Sequence, residues 1–213
     1  VSLDLIAKDV AEHLERLVPA RPDTLLQMEQ RAAQSGFPVI GPTAGHFCYL
    51  VARLIGARSI FEMGSGYGYS TAFFARAVRE NGGGRVHHTV WDEALSRDAR
   101  RYLDALGLGS FVQFTVGEAV ETLRAAAGPF DLIFNDIDKA AYPASLDVIE
   151  QKLRPGGVLL VDNMLWSGRI FDAQDQSAAT EGVRELTRRI THRPGWIVSV
   201  VPIRDGLLLA LRS

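Results

Sequence analysis

Two apolar runs in this 213-residue chain end on oxygen-rich side chains. Phe130-Asp-Leu-Ile-Phe-Asn closes on Asp136, with Lys139 three residues later, and Gly157-Val-Leu-Leu-Val closes on Asp162-Asn163. Two carboxylates and a carboxamide are hard ligands suited to a divalent cation, Mg²⁺ first and Mn²⁺ or Ca²⁺ as alternatives, with water or substrate oxygens completing the shell. Lys139 stands close enough in sequence to hold or remove a proton beside such an ion. Packing offers a competing account, in which each acid caps the helix that follows its strand. On these residues alone the two accounts stand level.

A second constellation lies upstream, Glu62-Met-Gly64-Ser65-Gly66-Tyr-Gly68-Tyr-Ser70, between a strand-like and a helix-like segment. Glycines at such a turn let a ligand approach the backbone, and the helix start offers free N–H groups. The spacing is Gly-x-Gly-x-Gly, whereas a dinucleotide fingerprint wants Gly-x-Gly-x-x-Gly. Glu62 is unhelpful to a pyrophosphate but suits the ammonium of an amino-acid-bearing cofactor. The alternative is a tight turn without a ligand.

These residues must be positioned by regular elements. Leu3, Ile6, Val10, Leu14 and Leu17 recur at helical spacing over residues 2–18, and Pro22 opens a second helix through about Ser35. Pro and Gly make Phe37–Gly45 read as irregular, before a helix from about Ala44 to Ile55. Strands are expected at 59–63, 85–90, 111–116, 130–135 and 157–162, alternating with helices at 69–79, 93–106, 118–126, 142–153 and 179–191. That alternation argues for a mostly parallel sheet covered on both faces. Trp196–Val201 and Leu207–Leu211, joined by a short turn at Asp205-Gly206, must form an antiparallel hairpin.

The length suits one domain over residues 1–213, and 47% hydrophobic with 23% charged residues is ordinary for a globular chain. A net charge of −2 without a basic block gives no footprint for nucleic acid. No apolar run approaches the ~18 residues of a membrane span, and a cytoplasmic location follows as the default expectation. The single cysteine, Cys48, lies in an apolar run and reads as core. His46 reads as structural, His87 and His88 lie mid-strand on opposite faces and are not placed as metal ligands, and Asn135 reads as a satisfied polar group at a strand end.

Glu-x-Gly-x-x-x-Gly-Tyr-Ser, Asp-x-x-Lys, Asp-Asn-x-Leu-Trp-x-Gly and a closing Pro-Ile-x-Asp-Gly-Leu stand in this order from about Gly41 to the C-terminus. Together they resemble the cation-dependent, S-adenosylmethionine-using O-methyltransferases, the family of the catechol and caffeoyl-CoA O-methyltransferases and their bacterial relatives. The resemblance implies a Rossmann-like class I methyltransferase fold with a seven-stranded sheet. It implies that Glu62, Gly64, Gly68 and Ser70 line the methionine end of S-adenosylmethionine, with Ile40, Ser65 and Asp136 also at the cofactor. Glu118 and Ala119 match the adenine position. Asp136, Asp162 and Asn163 match the metal ligands, and Lys139 the base that accepts a proton from a small-molecule hydroxyl, catechol-like or hydroxycinnamoyl-like. Trp166 matches a place near the substrate mouth. Residues 1–40 are implied to form a helical cap that also serves a homodimer, ahead of a cofactor- and metal-binding core over 41–213.

One position departs from the pattern. The second strand ordinarily ends on an acid that holds both ribose hydroxyls, and Val90 stands there. Asp92 two residues on could reach the ribose, and Trp91 could stack on the adenine. Two readings compete with methyl transfer: a divalent-metal hydrolase, and a degenerate adenosyl-binding or scaffolding protein without catalysis. Arg169, Asp172 and Asp175, in the loop after Trp166, carry no expected role.

Overall fold

Residues 6–213 are described by the computed structural model, so the part of the expected first helix over residues 2–5 lies outside the described residues. β1 (Ser59–Met63), β2 (Arg85–Val90), β3 (Val112–Val116), β4 (Phe130–Asn135) and β5 (Leu153–Val161) run parallel in the order β3-β2-β1-β4-β5. β6 (Trp196–Val201) and β7 (Leu207–Arg212) pair antiparallel, and β7 inserts between β5 and β6 to complete the expected seven-stranded sheet.

Side chains alternate across each strand, and both faces are apolar. Ile60, Val86, Leu132 and Leu160 meet Met28, Cys48, Phe74 and Leu103 on one face. These come from α2 (Asp23–Ser35), α3 (Gly41–Leu54), α4 (Tyr69–Glu80) and α5 (Glu93–Ala105). Phe61, Ile133 and Leu159 meet Leu123, Leu146, Ile149 and Leu186 on the other, from α6 (Ala119–Ala125), α7 (Tyr142–Lys152) and α8 (Ala178–Thr191). Among the α-helices of the described residues only α1 (Lys8–Arg16) buries no residue, and its Val10 is half exposed.

Several boundaries differ from the sequence expectation, and of the helix expected over residues 2–18, α1 covers only Lys8–Arg16 among the described residues. α3 begins at Gly41, inside the stretch read as irregular, because Pro42 in its first turn has no N–H to lose and a preset φ. Residues 109–111 form a 3₁₀ turn, so β3 starts at Val112. β5 starts at Leu153, with an irregularity where Arg154–Gly157 leaves the register of β4.

The register fixes what stands at the carboxyl edge. Met63 is level with Thr89 and Asn135, and Asn135 with Val161. One residue further along these four strands come Gly64, Val90, Asp136 and Asp162. Connections leave β1 in one direction to β2 and β3, and the chain returns on its other side at β4, which makes the β1/β4 boundary the switch point where such sheets bind ligands.

Gly64 makes this edge possible. Its φ is +83°, and a Cβ there would lie 2.3 Å from the Asp136 carbonyl oxygen. Gly36, at φ +68°, has nothing within 4 Å of its would-be Cβ. Both lose conformational freedom on gaining a side chain, but only Gly64 also collides with backbone. Gly64→Ala is expected to cost at least about 2 kcal/mol more than Gly36→Ala in urea denaturation; equal costs would show that the turn yields.

Candidate active site

Asp136 and Asp162 follow adjacent parallel strands and are tied there by Asp136 N–H donating to Met63 O (3.0 Å) and Asp162 N–H to Asn135 O (3.2 Å). Asp162 is buried, and its carboxyl is pushed up to about 7, first by burial and then by the neighbouring charge of Asp136. Burial also raises Asp136, against the pull of Lys139. Lys139 Nζ donates to Asp136 Oδ1 at 2.8 Å and to Ile137 O at 3.2 Å, and lies 5.4 Å and 5.7 Å from the ring centres of Tyr142 and Trp166. The 3₁₀ turn that carries Lys139 is backed by α8: a Cβ on Gly182 would lie 2.0 Å from the Lys139 carbonyl oxygen. Tyr142 braces the second acid, its hydroxyl donating to Asp162 O at 2.9 Å.

Asn163 follows in the left-handed region, φ 58°. Its Nδ2 donates to Asp205 Oδ2 (3.1 Å), and the other oxygen of Asp205 accepts from Ser167 N–H (2.5 Å). The β6–β7 turn therefore holds the loop after β5, and Gly206 packs against Leu165 in the same contact. Trp166 is fixed by its Nε1 donating to buried Thr180 Oγ1 at 3.1 Å. Asp175 accepts from Ser177, Arg169 and Thr180, and these bonds hold its carboxyl well below the usual range. The loop residues without an expected role thus serve to fix the loop.

On the donor side Glu62 is fully buried on the face covered by α4. Thr71 Oγ1 donates to Glu62 Oε2 at 2.5 Å and lies 3.0 Å from His88 Nδ1, which must then be its donor. Burial raises Glu62 to about 7 against the pull of the Ser70, Thr71 and Ser65 hydroxyls, and burial lowers His88 to about 3. Glu62 Oε1 has no partner among the described residues. A buried carboxylate oxygen without a donor is costly, and a cationic ligand group would satisfy it.

The two sides open into one cleft of about 1630 Å³. Ile40, Gly64, Ser65, Ser70, Trp91, Glu118, Ala119, Asp136, Lys139, Asp162, Asn163 and Trp166 all line it. Glu62 and Gly68 stand behind the wall; Gly68, at φ +89°, packs against Ala99 and Leu103. Asp92 is also off the wall, and one of its oxygens caps α5 by accepting from Leu95 N–H at 2.8 Å. Trp91 is 85% exposed on the rim, and Val90 is buried. Glu118 lines the cleft while capping α6. Asn135 is only half satisfied, Nδ2 donating to Ser145 and Oδ1 unpaired. Asp205, Thr71, Tyr142 and Gly182 were not anticipated. The Asp205-Gly206 pair was legible as a turn and as part of the closing Pro-Ile-x-Asp-Gly-Leu, without a role in the site, and no local sequence pattern joins the other three to their partners.

Among the described residues no group of three or more His, Cys, Asp and Glu side chains could hold a metal, so a cation here would rest on two carboxylates and the Asn163 carboxamide. No helix among the described residues is long and apolar enough to cross a membrane.

Comparison with known proteins agrees with this edge-of-sheet site. The O-methyltransferase family profile matches residues 21–213. A catechol O-methyltransferase from Niastella koreensis is 32% identical, with 97% of each chain covered. The O-methyltransferase TomG from Streptomyces achromogenes, solved with S-adenosylmethionine, superposes with a TM-score of 0.86 at 27% identity over 96% of each chain. An O-methyltransferase from Bacillus cereus, solved with S-adenosylhomocysteine, gives 0.86 at 28% identity over 96% of this chain and 97% of that one. With its doubly wound sheet, glycine turn and acid-lined edge, the chain belongs to the S-adenosylmethionine-dependent O-methyltransferase family of enzymes.

Proposed function

We propose that this enzyme transfers the methyl group of S-adenosylmethionine to a hydroxyl of a catechol-like or hydroxycinnamoyl-like small molecule, with Lys139 as the base and a divalent cation at Asp136, Asp162 and Asn163. The observation that carries the reading is that one cleft is lined both by the glycine turn and by the Asp136–Lys139 pair.

The residues fit both groups. Glu62, buried behind the cleft wall with one oxygen unpaired, favours the donor's ammonium through its charge, and Gly64 leaves the backbone open to the donor's amino-acid end. Two carboxylates raised by burial, Asp162 also by the charge of Asp136, are chemically suited to a hard cation, and Asn163, its Nδ2 turned to Asp205, keeps its carbonyl oxygen as a ligand. When bound, that cation lowers the pKa of an acceptor hydroxyl and makes its oxyanion accessible near neutral pH.

The chain's own residues do the rest. Lys139, in its neutral form, takes the acceptor proton at Nζ. The acceptor oxygen then attacks the methyl carbon, the C–S bond breaks, its electron pair stays on sulfur, and S-adenosylhomocysteine leaves. Trp166, held by Thr180, offers an aromatic face to a flat ring. Holding oxygen and sulfonium in line supplies much of the acceleration. The ribose lacks the usual two-oxygen carboxylate grip, because Val90 replaces the acid and one oxygen of Asp92 is engaged in capping α5. Cofactor affinity is therefore set low for the family. α1, which buries nothing, and the exposed Leu17 support a homodimer built on the N-terminal helices.

Methyl transfer to catechol is expected to vanish with chelator and return with Mg²⁺; activity indifferent to chelation would remove the cation from the reading. Lys139→Ala should lower kcat by about 10²-fold or more with S-adenosylhomocysteine binding unchanged. Val90→Glu should tighten S-adenosylhomocysteine about ten-fold by restoring a charged partner for the ribose, and unchanged affinity by calorimetry would mean that the hydroxyls are already satisfied. The pH dependence follows from Glu62. Its charged form attracts the ammonium from behind the cleft wall, and burial raises its pKa to about 7, so affinity should fall as pH drops below 7 and level off above it. Glu62→Gln should weaken binding and flatten that profile; a slope unaltered by the substitution would exclude Glu62 as its source.

A further inference from the structure

The cleft wall carries two cationic side chains, Lys139 and Arg204. Lys139 is paired with Asp136. Arg204, on the β6–β7 turn, has no carboxylate within ion-pair distance among the described residues. Of its five N–H donors one is engaged, Nη1 donating to Val39 O at 2.6 Å. The remaining edge of the guanidinium is a preformed fork for a carboxylate.

Two further observations show that this placement is built. Arg204 occupies the left-handed region at φ 52°, a strained choice for a residue other than glycine or asparagine. Its guanidinium also needs Gly41: a Cβ on Gly41 would lie 2.6 Å from Arg204 Nη1. The next residue, Asp205, grips Asn163 and Ser167 N–H, so the backbone at Arg204 is tied to the acceptor end of the cleft while its guanidinium lies against Val39 and Gly41. Its charge reaches inward, partly offsetting the burial that raises Asp162 and the Tyr69 phenol.

We infer that Arg204 is a specificity-determining residue that binds a carboxylate on the methyl acceptor, so that the preferred substrates are anionic catechols of the dihydroxybenzoate or hydroxycinnamate class. This rests on the methyl-transfer reading for the word acceptor, but the binding step can be tested without turnover. The donor's own carboxylate is the competing source of the same chemistry, because Val39 and Gly41 flank Ile40 on the donor side.

The test is calorimetric titration of protein loaded with Mg²⁺ and S-adenosylhomocysteine, using 3,4-dihydroxybenzoate, its methyl ester and catechol, for the wild type, Arg204→Gln and Arg204→Lys. The wild type should bind the acid about ten-fold tighter than the ester. Arg204→Gln should abolish that preference by weakening the acid alone, Arg204→Lys should keep part of it, and S-adenosylhomocysteine affinity should stay within two-fold, roughly, in both. The inference is overturned if the wild type binds acid no tighter than ester, or if all three ligands weaken alike. It is also overturned if the substitution instead loosens S-adenosylhomocysteine, which would assign the fork to the donor. Turnover separates the two readings: methylation of catechol and ester without acid preference sinks only the role of Arg204, whereas acid-selective binding without methylation of any probe sinks only the proposed reaction.

Discussion

Two carboxylates side by side at the ends of adjacent parallel strands are the constraint around which this molecule is arranged. Asp136 and Asp162 cannot move apart, because β4 and β5 are hydrogen-bonded in register up to the preceding residues. Burial and mutual repulsion both oppose their ionisation. The surroundings answer with positive charge and rigid bracing: Lys139 on Asp136, the Tyr142 hydroxyl on the Asp162 backbone, and Arg204 further out. The repulsion that makes the pair unfavourable in isolation is what makes it receptive to a cation.

Bracing extends outward by close backbone approach. Gly64 lets the first turn lie on the Asp136 carbonyl, Gly182 lets α8 lie on the Lys139 carbonyl, and Gly206 lets the last hairpin press on Leu165. Three segments distant in sequence therefore fix one edge of the sheet. Strained backbone gathers there as well: Asn163, Trp166, Ser167 and Arg204 all have positive φ. Such conformations persist only where neighbouring contacts over-determine them, and Asp205 supplies those contacts for Asn163 and Ser167.

The strands were legible because each is an apolar run of strand length bounded by turn residues, and the helices because their apolar residues recur at helical spacing. The early start of α3 was hidden by Gly41 and Pro42, which interrupt most patterns but suit a first helical turn. Asp92 illustrates the opposite limit. Proximity to the missing ribose acid made it a candidate, and the local hydrogen bond from Leu95 N–H that makes it also a cap shows only in the structure. His88 was read as a mid-strand histidine, and only the packing of α4 on β1 and β2 joins it through Thr71 to Glu62.

The sequence by itself determined which residues would stand at the carboxyl edge, because strand ends and a parallel alternating order follow from local patterning. It could not determine which charges would meet. That the Asp136 and Asp162 carboxyls perturb one another, that Asp205 holds Asn163, and that Arg204 leans over Gly41 are consequences of strand order and backbone approach between segments far apart in the chain. Electrostatic shifts and steric seats depend on distances of a few ångströms, and only the tertiary fold sets those.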